Sequence, residues 1–319
     1  MRIFLTHVPD MLENYYGPRA LAEMRRLGEV RLNETGKVLD AKALALAAKG
    51  CEVVVSDRQT PGPAEFFPLT PDLCAFLRVA VDIRNIDVEA ASREGVLVTR
   101  ATPGFMASVS EMAIGMMIDC ARKITDSVIE YRNGGDAEPR KGVQLNGATV
   151  GIMGYGAIAR HLAPICTALG MTVLVSDPFA KVDDPAIQHV DQNTLLAQSD
   201  FVICLVIANE ETENLMNAAN FARMKKSAYF LNLSRGNLVD ESALLAALEK
   251  KQIAGAAIDV GRAFDHKPSL NLASRSDVIA TPHTAGLTPD EIEHQAFDTV
   301  RQVADLVAGS IPPEAVNRG

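Results

Sequence analysis

Apolar residues in this chain gather into short unbroken runs separated by stretches of helical spacing. In the first hundred residues, RIFLTH (2–7), CEVVVS (51–56) and LCAFLRVAV (73–81) predict strands, while DAKALALAAKG (40–50) predicts a helix that stops at a glycine cap. This alternation predicts a small α/β unit. GFMASVSEMAIGMMIDCARKI (104–124) then predicts a Met-rich helix whose apolar surface is broader than one side of a single domain covers, pointing to a face against another subunit. YRNGGDAEPRKG (131–142), with three glycines, a proline and mixed charges, reads as a long exposed excursion. Beyond it the rhythm becomes regular. ATVGIMG, MTVLVSD, FVICLVI, AYFLNLS, AGAAIDV and DVIATPH are apolar strands, and segments such as VDESALLAALEKKQ between them have helical spacing. Near-continuous apolar strands alternating with helices predict a parallel sheet covered on both faces.

Length and charge narrow the picture. The 319 residues suffice for two domains, and the net charge of -9 comes with scattered Lys and Arg, so no basic stripe is expected to meet nucleic acid. MRIFLTHV reads as a strand and not as a leader, and apolar runs such as FVICLVIA fall well short of the roughly 20 residues a bilayer span needs. Neither secretion nor a membrane partner is expected. Five cysteines at 51, 74, 120, 166 and 204 form no CxxC pair, which predicts free thiols in a reducing, cytoplasmic setting and no metal site.

The segment ATVGIMGYGAIARHLAPICTALGMTVLVSD (148–177) carries candidate chemistry. Gly151, Gly154 and Gly156 permit a tight turn with close backbone approach, and Ala159 stands at the usual third glycine. The opening N–H groups of the following helix, at Gly156, Ala157 and Ile158, can hold a pyrophosphate. Asp177, 23 residues after Gly154, ends the next strand, where a carboxylate accepts both ribose hydroxyls of NAD and repels a 2'-phosphate. NAD is therefore expected over NADP.

Four blocks carry a wider likeness: NIDVEAASREGV with TPG just after it, GIMGYGAIA, LNLSRGNLVDESALLAAL, and AAIDV followed by TPHTAG. On these the chain resembles the D-isomer-specific 2-hydroxyacid dehydrogenases, the NAD-linked family that includes glyoxylate and hydroxypyruvate reductases. The resemblance implies an α/β fold of two Rossmann-like domains with parallel doubly wound sheets. It places an NAD-binding domain, 98–287, inside a discontinuous substrate domain, 1–97 and 288–319, to which the last helix returns; a homodimer is the family's usual state. It also assigns Ser234, Asp259, His283 and Ala285 to the cofactor, Asp259 holding the nicotinamide amide.

Hydride transfer between a 2-hydroxy acid and NAD needs a cation for the carboxylate and reacting oxygen, and an acid-base group for the hydroxyl proton. Arg235, just after the AYFLNLS strand, offers a bidentate fork, and His283, at the end of another strand, offers an imidazole that titrates near neutrality. The family's substrate loop carries over to Ala80, Val81 and Asp82, where the chain departs from the usual glycines and adds Asp82 and Arg84, either beside the substrate or paired with each other.

A second departure is sharper. In the family a glutamate in a DVFxxEP pattern hydrogen-bonds the histidine, but DVGRAFDHKPSLNL contains none, nor does any residue between Asp259 and His283. The position falls on Phe264 or Asp265. Asp265 is the expected replacement, with His266 or water as the alternatives. The leading expectation is an NAD-dependent reductase of a small 2-keto acid such as glyoxylate or hydroxypyruvate. The alternatives are an NAD-sensing, corepressor-like binding protein and a dehydrogenase of an unusual small anion such as formate or phosphite.

Overall fold

The computed structural model describes residues 1–263 and 266–318. Two compact units divide the chain, residues 1–104 with 289–319, and residues 105–288. The expected boundaries were 97/98 and 287/288. The chain stays in the first unit past residue 97 because strand pairing continues to Thr99 and the Val98 N–H donates to the Asn317 side chain at 2.8 Å.

In the first unit, strands β1 (Arg2–Leu5), β2 (Glu29–Leu32), β3 (Val53–Ser56), β4 (Ala75–Arg78) and β5 (Leu97–Thr99) form one parallel sheet in the order β2-β1-β3-β4-β5. The central strands read as unbroken apolar runs because both faces are covered. Ile3, Leu5, Val53, Val55, Ala75 and Leu77 share one face with Ala296, Val300 and Val303 of the helix Pro289–Val307, while Phe4, Val54 and Phe76 pack with Phe66 and Phe67 on the other. The last helix thus belongs to this core. Its Thr299 hydroxyl also lies 3.1 Å from the Tyr16 hydroxyl.

The second unit carries seven parallel strands: β6 (Thr149–Met153), β7 (Thr172–Ser176), β8 (Ile187–His189), β9 (Phe201–Cys204), β10 (Tyr229–Asn232), β11 (Gly255–Ile258) and β12 (Val278–Ala280). Their order is β12-β11-β10-β9-β6-β7-β8. Strand order reverses between β6 and β9, which opens a crevice at the carboxyl ends of those two strands, the usual ligand position in such sheets. All six runs read as strands in this half of the sequence are strands of this sheet.

The Met-rich segment forms the helix Met106–Arg122, but its apolar excess is largely absorbed at home. Val109, Ala113, Met116, Met117 and Cys120 are buried in the unit's own core with Leu162, Val150 and Leu231. Ile118 stays exposed on the same helix. No helix among the described residues is long and apolar enough to cross a membrane.

Candidate active site

The glycine turn after β6 divides its labour. Gly151 lies inside the strand, where an added Cβ would fall 2.6 Å from Leu195, so its absence lets the helix Gln192–Gln198 pack close. Gly154 has φ +86°, and a Cβ there would stand 2.9 Å from the Leu205 carbonyl oxygen on the loop leaving β9. Only glycine meets both conditions comfortably. Gly156 differs. It caps the helix Ala157–Ala168, is exposed, and has nothing within 4 Å of an added Cβ. Open space therefore faces the helix start, whose first N–H groups have no partner within the helix and favour an anion. Ala157 and Ile158 stand in that first turn, and Ala159, fully buried, packs inward.

Asp177 follows β7 beside this turn. Its Oδ2 accepts the Tyr155 N–H at 2.7 Å, and its Oδ1 accepts those of Phe179 and Ala180 at 2.9 and 3.1 Å. Partial burial works against the charge, but the three backbone donors outweigh it and hold the carboxyl below its ordinary value. The carboxylate is therefore ionised and oriented at neutral pH. Phe179 and Ile207, three residues beyond β7 and β9, are 91% and 81% exposed on the two sides of β6. Such exposed apolar side chains flanking a glycine turn suit a flat aromatic ring. Both escaped the sequence reading, and their only signal there is an apolar residue where the post-strand turn should be polar.

Farther along the same edge, β10, β11 and β12 are neighbours, so the loops after β10 and β12 lie two strand spacings apart, about 10 Å. Arg235 sits in the loop after β10, exposed, with Nη1 donating to the Ser234 carbonyl at 2.7 Å. The loop is tied from below: Asn232 Nδ2 donates to the Arg235 carbonyl at 2.9 Å, and Ser234 Oγ donates to the Val206 carbonyl at 2.7 Å. Ser234 is thus occupied in bracing Arg235. Gly236 follows because the backbone of Gly261 and Arg262 passes where its Cβ would be.

His283 lies three residues beyond β12, half-buried, at φ +59°, with its N–H donating to the carbonyls of Asp259 at 2.9 Å and Thr281 at 3.0 Å. Asp259 is the anchor of this loop. Only 1% exposed, it accepts the Thr281 hydroxyl at 2.6 Å, the Thr284 N–H at 2.8 Å and the Ala285 N–H at 3.1 Å. That arrangement gives Asp259 a bracing role which sequence reading did not anticipate. The ring of His266 meets that of His283 edge to face, centroids 5.7 Å apart at 84°. Asp265, the expected replacement for the family glutamate, lies outside the described residues, as does Phe264.

In the first unit, Ala80 is buried after β4 and Val81 is half-buried. Asp82 pairs with Arg84 at 2.6 Å. The chain's two added charges therefore meet each other. No cluster of three or more metal-ligating side chains occurs among the described residues. Burial pushes the thiols of Cys120, Cys166 and Cys204 up to about 12, so these cysteines behave as small core hydrophobes.

Comparison with known proteins agrees with this geometry. Residues 114–285 match the family described as D-isomer specific 2-hydroxyacid dehydrogenase, NAD binding domain. The chain is 35% identical to D-3-phosphoglycerate dehydrogenase of Synechocystis over 75% of its own length and 44% of that protein. It is 29% identical to hydroxypyruvate reductase of Thermotoga maritima over 95% of its own length and 98% of that protein. The chain spans about half the length of the D-3-phosphoglycerate dehydrogenases it matches. The crystal structure of D-lactate dehydrogenase with NAD+ from Lactobacillus jensenii shares the fold over 100% of both chains, with a TM-score of 0.88 at 24% identity. With this match across more than half of its length, the chain belongs to the D-isomer specific 2-hydroxyacid dehydrogenases.

Proposed function

We propose that this protein is an NAD-dependent oxidoreductase that interconverts a small 2-keto acid, of the glyoxylate or hydroxypyruvate class, with its 2-hydroxy acid. The observation that carries this reading is the seating of Arg235 and His283 on strand-end loops that flank β11, on the same sheet edge as the Gly154–Gly156 turn. NAD supplies the hydride acceptor when bound, and its binding groups are the turn amides, Asp177 and the exposed faces of Phe179 and Ile207. Arg235 binds the carboxylate and polarises the reacting oxygen through its planar fork. His283 gives the proton to that oxygen in reduction and takes it in oxidation. Asp259 holds the His283 loop in place, with its carboxylate also serving the nicotinamide side, and Ser234 and Ala285 line the cofactor path. Ala80, Val81 and Asp82 are the substrate-binding residues that the family resemblance carries over, and Asp265 is the carboxylate assigned to His283.

The exposed apolar residues Ile118, Ile124, Val128, Ile129, Tyr131 and Val143 support a homodimer built on the two helices Met106–Arg122 and Ile124–Arg132. Net negative charge and free thiols support a cytoplasmic enzyme without nucleic-acid or membrane partners. A panel of glyoxylate, hydroxypyruvate, pyruvate, formate and phosphite, followed by NADH absorbance, tests the reading. Turnover of a 2-keto acid is expected. Silence across the panel with NADH still binding would replace the enzyme with an NAD sensor.

A further inference from the structure

We propose that His266 is a positioning residue for His283, taking part of the orienting role that a glutamate plays elsewhere in the family. The proposal rests on the assignment of His283 as the proton carrier. Its structural basis is the edge-to-face contact of the two imidazoles, 5.7 Å between centroids and 84° between planes.

Backbone geometry fixes where the His283 side chain starts but not how its ring turns. Its N–H is held by Asp259 and Thr281 at φ +59°, which sets the Cα–Cβ direction. The His266 ring, lying against the His283 ring, limits the orientations that ring can take.

His266 is itself held for the task. It too has φ +59°; its N–H donates to the Ala263 carbonyl at 2.8 Å, and its carbonyl accepts the Gly261 N–H at 2.7 Å. A left-handed conformation at a non-glycine residue costs free energy, and here two such residues place their rings against one another. Gly261 permits the turn because the Lys267 carbonyl and the Pro268 Cα, 2.7 Å from an added Cβ, fill the space a side chain would need.

Asp265, beside His266 in sequence, is the other candidate for an orienting role on the same ring.

The test uses His266→Asn, which tolerates the left-handed backbone but removes the ring, and His266→Phe, which keeps a ring without the charge. Thermal melts of both variants check folding. For His266→Asn, kcat is expected to fall about three- to tenfold with KM little changed, and His266→Phe is expected to recover most of it. The His283 ring-proton resonances, identified by the signals lost in His283→Gln, are expected to move in His266→Asn, where the neighbouring ring is gone, and to return towards their wild-type positions in His266→Phe. Wild-type kcat and unmoved resonances in His266→Asn would overturn the proposal, as would failure of His266→Phe to recover activity. A loss of kcat in Asp265→Asn with His266→Asn at the wild-type rate would give the role to Asp265 alone. Because the NMR comparison needs no substrate, a protein that turns over nothing would defeat the functional reading while the ring contact is still decided by NMR.

Discussion

The carboxyl edges of the two sheets use their polar groups in opposite ways. In the first unit, Arg78 ends β4 fully buried, with Nη1 donating to Ser56 Oγ at 3.0 Å, the Thr60 carbonyl at 3.2 Å and the Asp57 carbonyl, and Nη2 donating to the Asn85 side chain. Asp57 in turn accepts the N–H groups of Gln59 and Thr60, each at 2.7 Å. Burial lowers the Arg78 guanidinium to about 10 and the nearby His7 imidazole to about 4. This edge is a buried network that ties its loops together, with Arg78 Nε and His7 Nδ1 left without a hydrogen-bond partner among the described residues. In the second unit the arginine of the corresponding edge, Arg235, stands exposed, the histidine is half-buried, and Gly156 faces open space. The same parallel architecture therefore yields a buried polar network in one place and an exposed edge in the other. The difference lies in how far each guanidinium is withdrawn from water, fully for Arg78 and little for Arg235.

The largest effect expected from this contrast is at His283. His283→Gln should lower kcat by about 10² to 10⁴ while NADH affinity, read by fluorescence titration, stays within about twofold. An equal loss of NADH affinity would show that His283 serves mainly as part of the cofactor wall. Arg235→Lys keeps the charge but loses the fork, and steady-state kinetics should show kcat/KM falling about 10- to 100-fold, with unfolding by urea unchanged.

The first unit should answer in the other currency, stability. Arg78→Met removes the buried donor shared by the oxygens of Ser56, Asp57, Thr60 and Asn85, so urea unfolding should show a loss of about 1–3 kcal/mol while NADH affinity is kept. A loss of NADH binding at unchanged stability would abolish the distinction between the two edges.

The smallest expected effect is a slope. Folded His7 stays neutral down to about pH 4, whereas the unfolded chain takes up that proton near 6.5. The unfolded state binds more protons in this window, so stability present above pH 6.5 is lost as pH falls towards 4, by at most about 1.4 kcal/mol per unit. His7→Gln should flatten that slope in urea melts taken across the window. An unchanged slope would place the acid sensitivity in other groups.

Legibility followed burial. Central strands such as Val53–Ser56 and Phe201–Cys204 are buried along their whole length and could be read directly as apolar runs. Two edge strands could not. Glu29–Leu32 and Ile187–His189 cover only part of one face, so their polar residues interrupt the run and three or four residues leave too little pattern to detect. The cofactor turn was legible because its glycines answer to local backbone needs, most clearly at Gly154 with its positive φ. The positions of Asp177 and Arg235 just after strands were legible because Thr172–Ser176 and Tyr229–Asn232 are recognisable apolar runs.

The chain's order of residues by itself determined the alternation of strands and helices, the glycine turn with its acidic partner, and the arginine and histidine at strand ends, because each is a short-range pattern in covalent sequence. Tertiary structure alone decided that Asp259 ties down the His283 loop, that Arg78 is sealed while Arg235 is exposed, and that His266 meets His283. These depend on which segments distant in the chain the packed sheet brings to one edge, and on how much water is left there, quantities that no local spacing encodes.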